Sequence, residues 1–301
     1  MVTLRQPDGS YTWKRRTTGQ SLVLWFGWLL GVAAFLWCWR YISEATTWFF
    51  VWDAPRIAGD ILERATPPRW SYMDQLWGPI WDTFNIATLG TIAALFMAVP
   101  VAFLAARNTT PRMPFFAGAA RVFPKVIRDI LFVETGDGNF TLSIVRPIAL
   151  LVIVATRSIN SLIWALLLIA IIGPGVFAGI VAISIRSIGF CAKLLYEAIE
   201  EISPVQVEAI QATGAGRLQT IIYGIVPQIM PAFAGIAVFR WDINIRESTV
   251  LGLVGAGGIG LQLSGSLNTL AWPQVSLILL VILVAVVIGE WVSAKVRGAI
   301  I

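Results

Sequence analysis

The stretch LGLVGAGGIG, residues 251–260, is compatible with two folds that exclude each other. Gly255, Gly257 and Gly260 fit G-x-G-x-x-G behind an apolar run, the fingerprint of a dinucleotide-binding turn in a soluble βαβ unit. The same glycines also suit a sharp turn where membrane helices pack closely. A dinucleotide site expects an acidic residue about 20 positions further on. Residues 261–289 contain none, and they are apolar enough to form a membrane span. The nucleotide reading therefore fails. Gly255, Gly257, Gly258 and Gly260 are expected to form a re-entrant turn beside a pathway, since irregular backbone at membrane depth needs protein or a water-filled cavity to satisfy it.

Composition points the same way. Of 301 residues 57% are hydrophobic and only 13% charged, against roughly 25% charged in a soluble domain. Residues 17–39, 83–106, 158–185 and 248–289 carry no Asp, Glu, Lys or Arg. About 20 such residues cross a bilayer core. The chain reads as an all-α polytopic membrane protein with six transmembrane helices. Fourteen Trp fit membrane–water interfaces. There is no His, which removes Ser-His catalysis, His-ligated zinc and His proton relays. Cys38 and Cys191 both fall in expected spans, so no disulfide framework is indicated. The net charge of +5 marks cytoplasmic loops rather than nucleic-acid binding.

Segment 1–20 is assigned to the cytoplasm because Lys14, Arg15 and Arg16 flank the first span, 21–39. That span is longer than a signal-peptide core of roughly 7–15 residues, and no A-x-A site follows it, so it reads as a retained helix. Segment 40–81 is extracytoplasmic. Within it, 54–66 reads as an interfacial amphipathic helix with Arg56, Asp60 and Arg64 spaced for pairing. The core, 82–297, begins with span 2 at 83–106. Its following loop, with Arg107, Arg112, Arg121, Lys125 and Arg128, is cytoplasmic. Span 3 (143–172) is expected to break near Arg157-Ser158-Ile159-Asn160, and Gly173-Pro174-Gly175 separates it from span 4 (175–195). Span 5 is 226–246, 247–272 is an uncharged outer segment, and span 6 is 273–292. Arg186 and Lys193 are assigned to the inner end of span 4.

The segment EEISPVQVEAIQATGAGRLQTIIYGIVPQ (200–228) holds a short helix, 204–213, between two spans. Ser203 is a suitable N-cap, Pro204 a suitable first residue, and Gln206 completes an S-x-x-Q capping box. Gly214 is the expected stop. A helix of about ten residues is marginal alone, so it should dock against something. Glu208-Ala209, Gly214 and Pro227 resemble the loop signature of ABC-importer permeases, E-A-A, three residues, G, nine residues, I-x-L-P. Ile210, Gly224 and Val226 depart from it. With RSINSLIWALLLIAIIGPGVFAG (157–179) and RWDINIRESTVLGLVGAGGIG (240–260), the stretch from about 80 to 297 resembles the permease subunit of phosphonate importers, within the methionine-permease-like group.

That resemblance implies a type I importer core behind an extra N-terminal helix. It implies that Glu208, Ala209, Ile210, Gly214 and Pro227 couple the chain to a separate ABC ATPase, present in two copies, which holds ATP and Mg. The chain lacks the P-loop G-x-x-x-x-G-K-[ST] and is expected to have no cofactor, no metal site and no enzymatic activity of its own. The expected partners are a second permease copy in a homodimer, an external substrate-binding protein and membrane lipid, in the bacterial inner membrane with both termini cytoplasmic.

Intramembrane charge needs a reason, because an Arg at a helix centre costs roughly 2.5–3.5 kcal/mol on insertion scales. Arg240, Asn244 and Glu247 share a helical face, while Asp242 and Arg246 are spaced to pair. Arg157, Asn160, Arg240, Asn244, Arg246 and Glu247 are the candidate pathway residues. Arginine's planar fork suits phosphonate, phosphate or phosphite oxygens. Three alternatives compete. One is an importer permease for methionine or an osmoprotectant. Another is a stand-alone ion-coupled transporter or channel. The third is an intramembrane hydrolase using Ser264 or Ser266, which would have no His as base.

Overall fold

The computed structural model describes residues 2–5, 11–14, 18–109, 132–134, 140–142 and 145–300. The loop residues Arg112, Arg121, Lys125 and Arg128 lie outside them. Two compact units divide at Glu63–Arg64.

The first unit holds an antiparallel ribbon, β1 (Val2–Arg5) with β2 (Tyr11–Lys14), in which Val2 faces Lys14. Helices α1 (Thr18–Ala45) and α2 (Trp48–Ala65) follow. α1 buries none of its residues, as suits a helix apolar on every side and solvated by lipid tails. α2 starts earlier than expected, because Trp48, Phe49, Phe50 and Trp52 extend its apolar run and Pro55 is accommodated within it. Arg56, Asp60 and Arg64 form no ion pair with one another; the ion pairs among the described residues lie elsewhere.

The second unit is the helical core: α3 (Trp77–Ala105), α4 (Val145–Ser158), α5 (Ser161–Ile172), α6 (Val176–Glu200), α7 (Pro204–Ala212), α8 (Arg217–Gly252), α9 (Ile259–Asn268) and α10 (Trp272–Ile300). A small antiparallel ribbon, β3 (Phe132–Glu134) with β4 (Phe140–Leu142), adds strand to this otherwise helical unit. Among the described residues five helices are long and apolar enough to span a membrane, and the bent pair α4–α5 makes a sixth crossing if counted as one.

α3 and α6 are packed face to face through small residues. Ala87, Ala94, Ala98, Ala102 and Ala105 of α3 are fully buried, as are Ala182 and Ala192 of α6. Between membrane helices van der Waals contact replaces the hydrophobic drive, so short side chains that let backbones approach are favoured. Ile153, Leu195, Ile199, Ile225 and Ile229 fill one end of this core. Ile86, Ala165, Ile183, Leu251 and Ala256 fill a second cluster.

The expected break in span 3 is present as an 89° bend between α4 and α5. Its cause is local. Thr156 and Ser158 turn their hydroxyls back onto Val152 O and Val154 O, at 2.7 and 2.6 Å, which competes with the helical ladder. Asn160 then adopts an extended conformation and caps α5, accepting from Leu162 N at 3.2 Å.

α8 differs from expectation at both ends. It begins at Arg217, contains a π turn at Ile221–Ile225, and continues to Gly252. The charged stretch Arg240–Glu247 is therefore inside a helix rather than at its outer limit. The outer segment 247–272 contains the end of α8, the glycine turn and α9.

Candidate functional site

Two regions carry the residues singled out in the sequence. The first is the short helix α7. Most of its surface is exposed, Glu208 and Ala209 included, while Val207 and Ile210 turn inward. Its stop is Gly214, at φ +83°, a left-handed conformation that favours glycine. The capping box does not form. Ser203 occupies the N-cap position, but its side chain makes no cap bond. The Ser203 N–H that Gln206 would have satisfied donates instead to Gln228 Oε1 at 3.1 Å. Gln228 Nε2 in turn donates to Gly224 O at 2.7 Å. One side chain, next to Pro227, thus ties the start of α7 to the π turn of α8.

The departures from the permease signature explain one another. Ile210, in place of a second Ala, packs against Gly224, in place of an Ile. A Cβ on Gly224 would lie 3.3 Å from Ile210 Cδ1. The bulk has moved across the contact from one helix to the other. Around this helix a groove of ≈ 870 Å³ is lined by Asn108, Glu200, Glu208, Gln211, Arg217 and Ile225, among others. Its frame is rigidly bonded. Arg107 N donates to Glu200 Oε1 at 2.9 Å, Asn108 Nδ2 donates to Ile199 O at 2.8 Å, and Arg217 donates to Thr109 O.

The second region is a polar network buried among α3, α6 and α8. Arg240 is 2% exposed. It donates to Ser187 Oγ at 2.9 Å, faces the Phe190 ring at 5.1 Å and reaches Glu247 at 3.4 Å. Ser187 donates to Asn244 Oδ1 at 3.2 Å, and Asn244 Nδ2 donates to Thr91 Oγ1 at 2.8 Å. Buried polar groups this well satisfied rigidify the contact they make. Glu247 also pairs with Arg186, and Arg246 pairs with Asp242 as its spacing predicted.

Arg186 is the residue that sequence reasoning misplaced. It is not at the inner end of its span. It is the eleventh residue of α6 and about 21 Å of helix from Glu200, at 1.5 Å per residue. The signal was available, since starting that span just after Gly175 puts Arg186 near its middle. Ser187 and Thr91 were also missed, because nothing local marks a hydroxyl that will meet Arg or Asn from another helix. Arg157 is not brought into the network. It is exposed at the α4–α5 bend and joins none of the ion pairs among the described residues. Asn160 caps α5 and, with Ser161, Arg186, Arg246 and Glu247, lines a cavity of ≈ 320 Å³.

The glycine turn is a packing device. Gly255, Gly257 and Gly258 have φ of +98°, +82° and +72°. Gly258 lies against Thr83, where a Cβ would be 2.7 Å from Oγ1, and Ile259 N donates to that oxygen at 2.9 Å. Gly260 touches Gly252 across the turn, and Gly175 N donates to Gly255 O at 3.0 Å. The turn is thereby locked to α3 and to the Gly-Pro-Gly break before α6.

A bundle of spans around a polar network centred on buried Arg240, with a short exposed helix pinned to one span, is the geometry the class of protein must account for. Residues 136–297 match the family described as binding-protein-dependent transport system inner membrane component. The chain belongs to that family. It is 35% identical over 261 residues to the phosphite transport system permease protein PtxC of Stutzerimonas stutzeri, covering 86% of this chain and 83% of that one. It is 34% identical over 237 residues to the phosphate-import permease protein PhnE of Mycolicibacterium smegmatis, covering 79% of this chain and 39% of that one. Among solved structures it shares its fold with a chain of the MetNI methionine ABC transporter, with a TM-score of 0.57 and 19% identity over 77% of this chain and 99% of that one.

Proposed function

We propose that this chain is the permease of an ATP-driven importer for phosphite, phosphate or a phosphonate. A separate ABC ATPase holds ATP and Mg, and an external binding protein delivers the substrate. Two copies of the chain form the pathway, with both termini in the cytoplasm of a bacterium.

The observation that carries the reading is α7. It is a short, largely exposed helix pinned to α8 by Gln228 and bordered by a groove of ≈ 870 Å³, which suits a lever that a cytoplasmic subunit can grip. The named relatives support the oxyanion class, as do Arg186, Arg240 and Arg246 among the spans, since a planar guanidinium fork binds such oxygens bidentately. The likeness to the methionine transporter, at 19% identity, extends to the fold alone and carries no substrate.

The test is uptake in cells together with ATPase activity of the purified complex. Glu208→Lys and Gly214→Pro are expected to abolish uptake while basal ATPase activity persists. Wild-type uptake and substrate-stimulated ATPase activity in both variants would sink the coupling assignment.

A further inference from the structure

The charged groups of the α6–α8 network are unbalanced. Arg186, Arg240 and Arg246 stand against only two carboxylates, Asp242 and Glu247. Asp242 is taken by Arg246. One carboxylate, Glu247, is left to serve two guanidiniums, Arg186 and Arg240. An under-neutralised cation among membrane helices is expensive unless a counter-charge or water is supplied.

The two arginines are not equivalent. Arg240 is held by Ser187 and Phe190 and has no freedom to turn. The Arg186 side chain is 29% exposed and forms part of the wall of the ≈ 320 Å³ cavity. Asn160 and Ser161 line the same cavity. Asn160 commits its oxygen to capping Leu162 N, which leaves its amide nitrogen as a donor. Arg186 is also within 3.4 Å of Ser161 Oγ. The positive end of α5 begins at the same point. The volume is at the small end of ligand pockets, about 300–1,000 Å³.

We propose that this cavity is a transit site for one tetrahedral oxyanion, in which Glu247 is the resident stand-in for substrate. Arg186 exchanges the Glu247 carboxylate for the incoming anion, while the Asn160 amide nitrogen adds a hydrogen bond and Ser161, whose hydroxyl donates to Asn160 Oδ1 at 3.2 Å, steadies the Asn160 side chain. Arg240 keeps Glu247 when Arg186 lets go, so neither state leaves a carboxylate unpaired. The proposal rests on the oxyanion-importer reading and deepens it.

The experiment is equilibrium binding of radiolabelled phosphate to the purified permease–ATPase complex without binding protein, with phosphite as competitor and chloride as control. Glu247→Gln removes the resident competitor and is expected to tighten binding by about tenfold, the size of one charge-assisted contact. Arg186→Gln is expected to abolish saturable binding, and Arg186→Lys to weaken it in a complex that still elutes as wild type. Glu247→Gln binding no tighter than wild type, or Arg186→Gln binding equally well, overturns the transit site. Uptake of phosphate, phosphite and methylphosphonate by cells carrying the wild-type chain separates the two failures. If uptake is present while the variants bind as wild type, only the transit site falls. If cells take up none of the three, the oxyanion reading falls with it.

Discussion

Gln228 holds Ser203 across 25 positions of chain, its Oε1 accepting the Ser203 backbone N–H at 3.1 Å. Its amide nitrogen simultaneously donates to Gly224 O at 2.7 Å. The start of α7 is thereby tied to α8 at the π turn, where the helical ladder is already irregular. Gln228→Ala removes both bonds at about 1 kcal/mol each. The expected outcome is a complex that assembles and hydrolyses ATP but transports less substrate per ATP. The ratio of uptake to hydrolysis in proteoliposomes measures it; an unchanged ratio rejects the link.

Ile210 and Gly224 form a size-matched pair, which a double-mutant cycle can read. Gly224→Ile alone overpacks the contact and is expected to destabilise by about 1–3 kcal/mol. Ile210→Ala alone leaves a gap. Together they place the bulk back on α8 and should recover most of the loss, giving a coupling energy of at least about 1 kcal/mol. Thermal unfolding in detergent of the two single variants and the double variant decides it, with simple additivity as the negative result.

Gly258→Ala meets two obstacles, a φ of +72° and a Cβ 2.7 Å from Thr83 Oγ1. A loss of about 1–3 kcal/mol is expected. Gly265→Ala is the control, in helix α9 with open space around its Cβ, where alanine should be neutral or stabilising by up to about 1 kcal/mol. Equal unfolding midpoints for the two variants would show that the turn is not closely packed.

Arg240→Leu leaves Ser187 and part of Glu247 without the partner they have now. Breaking a buried pair from one side typically costs about 3–5 kcal/mol, so poor yield and a lowered unfolding temperature are expected. Arg157→Ala should change stability by no more than about 0.5 kcal/mol, since the side chain is exposed and outside the network. If Arg157→Ala nevertheless abolishes uptake at normal stability, Arg157 lines the pathway in the assembled transporter.

Much of this molecule was legible in local patterns. The short helix was expected at 204–213 and is observed at Pro204–Ala212 with Gly214 as its stop, because proline and glycine act on neighbouring backbone. The break in span 3 was legible near Arg157–Asn160 for the same reason. The Asp242–Arg246 pair followed from helical spacing. The capping box failed because its N–H was claimed from 25 residues away. The pairing of Arg186 with Glu247 was not legible because the two lie 61 positions apart on different helices.

By itself the sequence determined the class of protein, most of the helical segments and the position of the short helix at 204–213, since these depend on composition, on helical period and on residues within a turn of one another. Only the tertiary structure decided which polar residues meet. It brought Arg186, Ser187, Arg240, Asn244 and Thr91 into one network and left Arg157 outside it. It also paired Ile210 with Gly224. Such contacts depend on which faces of α3, α6 and α8 are turned toward each other, and close packing of small residues between helices sets that rotation rather than any local pattern.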